Sequence, residues 1–201
     1  MSLDKPRTNP EIIKASVHHI KSENIDQEAK SVIDQLNRAG FDAYIVGGFV
    51  RDSILGLKPK DCDVVTNAKP EEIKTAVKRT RIIGRRFKIV HARIGGKITE
   101  ISTFRSSSKK NIKKSQKGIL LRDNNFGNIE DDAFRRDFTI NSLYLNTQKM
   151  EVIDFVGGYE DLQNKVLRSI GESHERFRED PVRILRAIRF KSKLDLSLES
   201  N

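Results

Sequence analysis

Between Asp26 and Gly40 the apolar residues Ala29, Val32, Ile33 and Leu36 recur at steps of three and four, the spacing of one buried face of a helix. Asp26 offers an N-cap and Gly40 a stop. The pattern then changes. FDAYIV (41–46) is a nearly continuous apolar run that predicts a buried strand; Gly47-Gly48 turn it into a short helical segment, FVRDSIL, which Gly56 and Pro59 close. CDVVT (62–66) predicts a second strand. Asn67 and Pro70 open a helix carrying Ile73, Ala76 and Val77, and RIIG, FKIVHARI and KITEISTF read as strands punctuated by Gly84 and Gly95-Gly96. Sheet-like text resumes with LYLN and with EVIDF (151–155), which Gly157-Gly158 end. Asp180 to Leu194 reads as one helix with Pro181 in its first turn and Val182, Leu185, Ile188 and Phe190 expected to pack. The strands outnumber the helices, so the expected fold is α+β: a mixed sheet with flanking helices over residues 26–155, followed by the beginning of a helical module over 156–201 that the chain leaves truncated. Residues 1–25, with one weakly apolar patch, read as a tail or a loosely docked arm.

Charge narrows the class of partner. Lys and Arg number 38 against 28 Asp and Glu, a formal net charge of +10, which favours a polyanion through counterion release and long-range steering. Seven of those cations fall in RSSSKKNIKKSQKGILLR (105–122) with no acid among them. That stretch is either a solvated flexible loop or a nucleic-acid contact, and Lys109, Lys110, Lys113 and Lys114 are its candidate RNA-binding residues. A single Cys excludes an internal disulfide framework and a Cys-based zinc site. No run approaches the ~20 apolar residues of a membrane span and the first residues do not resemble a signal peptide, so the expected setting is the cytoplasm, without membrane insertion.

The candidate chemistry is concentrated in three clusters. Asp61 and Asp63 flank Cys62 at the mouth of the second strand, and residues two apart on a strand point to one face. Two hard oxygen donors there would suit Mg²⁺ or Mn²⁺, including a pair of ions ~3.5–4 Å apart clamping the attacking and leaving oxygens of a phosphoryl transfer. An isolated D-x-D is more often a surface turn, but Gly47-Gly48 stands thirteen residues before Asp61 between a strand and a helical turn, where backbone amides can approach a phosphate and Arg51 follows. The second cluster is Arg135-Arg136-Asp137-Phe138-Thr139-Ile140-Asn141, which alone is no more than a charged helix start. The third is Glu179-Asp180-Pro181-Val182-Arg183 with Arg186 and Arg189 at three-residue steps, either a solvated basic face or, through Asp180 and Arg183, a fixed donor and acceptor pattern for a base edge.

With these clusters in order, the chain resembles the class II nucleotidyltransferases of the DNA polymerase beta superfamily, bacterial poly(A) polymerases and CCA-adding enzymes, through GGFVRDSILGLKPKDCDVVTNAKPEEI, RRDFTINSLY, DFVGGYEDL and REDPVRILRAIRF. The resemblance implies a polymerase-beta-like head on a mixed sheet and the start of a helical neck. It implies that Asp61 and Asp63 bind two catalytic Mg²⁺ ions, with Mn²⁺ as a possible substitute, and that Asp137 serves the catalytic centre. Gly47, Gly48, Arg51, Arg136 and Asn141 would lie along the nucleotide, while Asp180 and Arg183 match the neck pair that reads the base. Glu100, on a strand able to flank the Asp pair, is a further candidate carboxylate. Ile82 to Ala92, with Gly84-Arg85-Arg86-Phe87 and His91, resembles the poly(A) polymerase signature rather than the Gly-x-x-His-Gly-Thr of CCA-adding enzymes, although Ala92 replaces a branched aliphatic. The implied activity is template-independent addition of AMP from ATP to RNA 3′ ends. The alternatives are a CCA-adding tRNA nucleotidyltransferase, a D-x-D glycosyltransferase and a non-catalytic RNA-binding fragment.

Overall fold

The computed structural model describes residues 9–84, 88–106, 113–114, 120–122 and 125–199, with backbone alone for 113–114 and 120–122. In chain order the elements are β1 (Glu11–Lys14), α1 (Ala15–His18), a 3₁₀ turn (Ser22–Asn24), α2 (Gln27–Arg38), β2 (Ala43–Val46), α3 (Gly48–Ile54), β3 (Asp63–Thr66), α4 (Pro70–Ala76), β4 (Thr80–Ile83), β5 (Ile89–Ile94) and β6 (Lys97–Thr103). The backbone pair β7 (Lys113–Lys114) and β8 (Leu120–Arg122) precedes α5 (Ile129–Arg135), a second 3₁₀ turn (Thr139–Asn141), β9 (Leu143–Asn146) and β10 (Glu151–Asp154). The chain then runs through α6 (Gly158–Gln163), β11 (Val166–Leu167), α7 (Ser173–Glu179), α8 (Val182–Leu194) and β12 (Ser197–Leu198).

One mixed sheet in the order β1-β10-β9-β2-β3-β6-β5-β4 organises the fold, with β3 and β6 parallel and the other neighbours antiparallel. Strand alternation sorts its side chains to two cores. Ile45, Val64, Ile101 and Leu145 meet the buried face of α2, where Ala29, Val32, Ile33 and Leu36 are wholly inaccessible. Val46, Val65 and Tyr144 point the other way, toward Ala133 of α5 and Phe104. Cys62 belongs to the first core, which pushes its thiol pKa up to about 12 by burial and nearby carboxylates and makes it a packing residue.

The helix predicted after Asp26 forms, and Gly40 ends it at φ +85°, a backbone shape that glycine adopts without Cβ strain. Asp26 occupies the N-cap position, yet its carboxylate makes no cap hydrogen bond and lies 3.6 Å from Lys97 Nζ. Asn67 likewise does not cap α4. Its Oδ1 accepts the Asp42 amide at 2.9 Å, and Glu72 satisfies the amide of Lys69, the residue before Pro70, at 2.7 Å.

Three expectations change. The N-terminal arm is part of the sheet from Glu11, because β1 pairs with β10 and Ile13 enters the core, and His18 Nε2 lies 3.0 Å from the Met150 carbonyl. Packing continues past residue 156. Leu162, Leu167, Ala187, Phe190 and Leu194 share the α2-side core, the Thr139 amide donates to the Arg168 carbonyl at 3.1 Å, and Phe138 bridges to Ser169. On α8 the buried stripe is Ala187, Phe190 and Leu194, while Val182, Leu185 and Ile188 are 57%, 67% and 61% exposed. Phe190 decides this choice, since its ring fits edge-on against Phe138 at 5.9 Å.

Gly158, the first residue of α6, has its backbone against the 3₁₀ turn, and a Cβ there would stand 2.1 Å from the Thr139 carbonyl oxygen. Gly158→Ala must therefore push α6 off residues 139–140. A destabilisation of about 1–3 kcal/mol, the range for overpacking, is expected in urea unfolding, without a change in m-value.

Candidate active site

Register builds the site. In the antiparallel β2–β3 ladder Val46 stands directly opposite Asp63, so the turn that follows Val46 lies beside the first residue of β3. Gly47 takes φ +74°, ending the ladder and starting α3, whose leading N–H groups have no helical partners of their own. On the other side of β3, the parallel pairing of Val64 with Ile101 places Glu100 next to Asp63. A cleft of about 290 Å³ opens over this edge, and its lining includes Asp63, Glu100, Arg105, Arg135 and Arg136.

Asp63 carries the electrostatic mark of the site. Enclosure by protein, then the charges of Glu100 and Asp61, push its carboxyl up to about 6, against a smaller opposing pull from Arg136. Surplus negative charge on hard oxygen donors is what a divalent cation relieves. The geometry differs from the expected pair in one respect: β3 begins at Asp63, so Asp61 lies beyond the ladder and lines the neighbouring recess with Asp26, Phe49 and Cys62. The cause is the turn at Gly47, which removes the strand partner that would have held Asp61 in register. Among the described residues no group of three or more acidic, His or Cys side chains is gathered closely enough to hold a metal by itself. The donor set nevertheless fits Mg²⁺, which takes one or two carboxylates and completes its shell with water and substrate phosphate. Glu100 also contacts His91 Nε2 at 3.3 Å.

Arg136 connects the acidic edge to the glycine turn. Its Nε and Nη2 donate to Asp132 Oδ2 at 3.0 and 2.8 Å, its Nε is 2.9 Å from the Tyr144 hydroxyl, and its guanidinium lies 5.2 Å over the Tyr144 ring. Nη1 reaches the Asn141 carbonyl at 3.5 Å, and a Cβ on Gly47 would lie 3.9 Å from it. Burial opposes that charge, but Tyr144 and Asp132 more than compensate and hold the group protonated. Asp132 and Tyr144, which hold Arg136 in place, were not legible in the sequence; the signal is the spacing of four between Asp132 on α5 and Arg136 at its C-cap.

Two of the candidate residues are bonded within the protein. Arg51 is 5% exposed, its Nε and Nη2 donate to Asp52 Oδ1 at 2.7 and 2.6 Å, and its Nη1 donates to Asn141 Oδ1 at 2.6 Å. Asp137 does not line the acidic cleft. Its Oδ1 accepts from the Phe138 amide at 2.8 Å and Asn141 Nδ2 at 3.2 Å, and its Oδ2 accepts from Arg186 Nε at 2.6 Å. Asp180 and Arg183 lie at the α7–α8 corner: Asp180 Oδ1 accepts the Val182 amide at 3.3 Å, and Arg183 Nη1 donates to the Arg176 carbonyl at 3.3 Å. Burial lowers the Arg183 pKa, partly offset by Asp180 and Asp137. Arg176, lowered to about 10 by burial and by Arg183, ties this corner to the head through the Arg136 carbonyl at 2.7 Å. Lys109 and Lys110 lie outside the described residues, as do Arg85, Arg86 and Phe87, and the side chains of Lys113 and Lys114 are likewise outside them.

Residues 43–168 match the family model described as the poly(A) polymerase head domain. The chain belongs to the poly(A) polymerase head-domain family. Poly(A) polymerase I of Salmonella typhi is 48% identical over 96% of this chain and 43% of its own length, and the CCA-adding enzyme of Enterococcus faecalis is 40% identical over 86% and 41%. Among solved structures, the Bacillus stearothermophilus CCA-adding enzyme in complex with CTP superposes with a TM-score of 0.74 at 35% identity, covering 87% of this chain and 40% of that one. The Thermotoga maritima CCA-adding enzyme complexed with tRNA does so with 0.71 at 29%, covering 94% and 43%. The chain thus spans less than half the length of these relatives. The head-domain fold, the mixed sheet and the order of the motifs are those expected from the sequence, and among the described residues no helix is long and apolar enough to cross a membrane.

Proposed function

We propose that this head domain and its adjoining neck form the nucleotidyl-transfer unit of a poly(A) polymerase, adding AMP from ATP to an RNA 3′ end and releasing pyrophosphate in the cytoplasm. The observation that carries the reading is the Val46–Asp63 pair, which sets the Gly47-Gly48 turn against a carboxylate edge with Arg136 beside both. Asp63 and Asp61, with Glu100 adjacent, would hold two Mg²⁺ ions. Metal bound there supplies polarisation of the attacking hydroxyl and neutralisation of charge at the α-phosphate and leaving pyrophosphate. The chain's own groups do the rest. Amides at Gly47 and Gly48 and the guanidinium of Arg136 bind and orient the triphosphate, and the fixed dipoles are in place before charge develops. Asp180 and Arg183 present an acceptor and a donor pattern to the adenine edge, so no template strand is needed. The displacement is direct, because no described side chain lining the cleft is an activated nucleophile.

The test is incubation with labelled ATP or CTP, Mg²⁺ and a short RNA. Extension with ATP in preference to CTP is expected, and Arg183→Ala should blur that choice more than it weakens triphosphate binding. Equal use of both nucleotides, or ordered completion of a tRNA lacking its end, would place the chain with the CCA-adding relatives, a reading supported by the 40% identity to one of them. Absence of pyrophosphate release would leave only an RNA-binding module.

RNA grip is assigned to Lys109, Lys110, Lys113 and Lys114. Each phosphate contact on a single strand contributes about −0.7 to the slope of log affinity against log salt, so replacing all four with Ala should flatten that slope and weaken all sequences alike. Filter binding across a salt series reads both effects, and nucleotide choice should not change.

A further inference from the structure

The phosphate-binding and base-reading groups of the proposed site sit on different elements, and one chain of polar contacts, buried at Arg51, Asp52 and Asn141 and part-buried at Asp137 and Arg186, runs between them. Arg51 donates to Asp52, its neighbour on α3, and to Asn141 of the second 3₁₀ turn, Asn141 donates to Asp137, and Asp137 receives Arg186 of α8 at 2.6 Å. Every step is 3.2 Å or shorter. The same residues converge on one aromatic ring: the guanidinium groups of Arg51 and Arg186 lie 4.9 and 5.4 Å from the centre of Phe190. Arg51 belongs to the short helix that begins at Gly48, and Arg186 lies one helical turn beyond Arg183. A guanidinium bound by carboxylate and amide oxygens and stacked on a ring has few alternative positions.

We propose that this relay is a positioning device, in which Arg186 and Asp137 set the distance and angle between the glycine turn that holds the triphosphate and the Asp180–Arg183 pair that meets the base. It rests on the reading of those two half-sites as one nucleotide site. The consequence concerns linkage between the halves. A nucleoside triphosphate gains from both halves only while they are held in register, whereas inorganic tripolyphosphate uses the phosphate half alone and is indifferent to the relay. Asp137 is the joint of the relay, bonded to Arg186 on one side and to Asn141 on the other.

Calorimetric titration of the protein in Mg²⁺ with ATP and, separately, with inorganic tripolyphosphate tests this. In Arg186→Ala the dissociation constant for ATP should rise about tenfold, while that for tripolyphosphate stays within about twofold. Asp137→Asn, which keeps an oxygen for Asn141 but drops the ion pair, should lose ATP affinity to a similar degree, and the double variant should be no worse than either single one. Arg186→Lys, retaining the charge, should recover part of the loss. The relay is overturned if ATP and tripolyphosphate weaken alike, if ATP affinity is untouched, or if the two single losses add in the double variant. If Arg186→Ala does not fold, Asp137→Asn and Arg186→Lys decide the question by the same comparison. RNA extension run in parallel separates the two readings: a wild-type chain that prefers ATP to tripolyphosphate but extends no RNA ends the transferase reading and leaves the relay standing. A wild-type chain that extends RNA yet binds both ligands equally ends the relay.

Discussion

Asp63→Asn is expected to abolish nucleotide transfer while leaving the protein folded. The side chain stands at the end of β3, opposite Val46 and beside Glu100, and packs no core. What the substitution removes is a hard anionic ligand at the point where the charge of the transferring phosphoryl group must be met. Loss of a single preorganised electrostatic element of that kind costs about 10²–10³ in rate, and loss of a ligand to metal as well should take transfer below detection in the labelled-ATP assay. Retention of near wild-type transfer at saturating Mg²⁺ would sink the assignment. A second readout has the opposite sign. The Asp63 carboxyl is raised from 3.8 to about 6 in the folded chain by enclosure, Glu100 and Asp61. Folding of the metal-free protein is therefore opposed by this group above pH 6, progressively less between 6 and about 4, and not at all below that. In the presence of a chelator the Asn variant should unfold at equal or higher denaturant than wild type above pH 6, and the difference should vanish near pH 4.

The same residue illustrates what was readable in the chain. Gly47-Gly48 and Asp61-x-Asp63 are local spacings with direct chemical meaning, and the helix of Ala29, Val32, Ile33 and Leu36 is a periodicity. That Val46 faces Asp63, and that Glu100 stands next to it, is set by which strands pair and in which register, information spread over the whole sheet. The partners of Arg51 and Asp137 escaped for a related reason. Both are charged residues in motifs, and their decisive partners lie 90 and 49 residues away, Asn141 and Arg186. The N-terminal arm was underestimated because a four-residue edge strand offers only Ile12 and Ile13 as apolar signal. Along α8 two apolar stripes compete, and the one with more large residues remains exposed because Phe190 fits the head.

The largest effect on stability is expected from Asp132→Ala. Asp132 is 5% exposed, and its carboxylate receives Arg136 through two nitrogens, the Tyr144 hydroxyl at 2.9 Å and the Arg105 amide at 3.1 Å. Burial alone would raise its pKa; Arg136 and the Arg105 amide outweigh burial and hold the carboxyl below its ordinary range. The Ala variant leaves the Arg136 charge and a phenol without their acceptor, and breaking a buried pair from one side costs about 3–5 kcal/mol. Domains of this kind have about 5–15 kcal/mol in all, so a large downward shift of the urea midpoint should follow. The pH dependence identifies the cause. A carboxyl held low in the folded chain stabilises it above the unfolded pKa, and that contribution is lost as the pH falls below about 3.8 and through the lower folded value. The gap between wild type and variant should narrow over that range. Removing both charges, with Asp132→Leu and Arg136→Met, should restore much of the midpoint because no uncompensated ion remains. Transfer should not return with it, since Arg136 is the cation that links the glycine turn to the acidic edge. A double variant that regained both stability and transfer would show that the pair serves the fold alone.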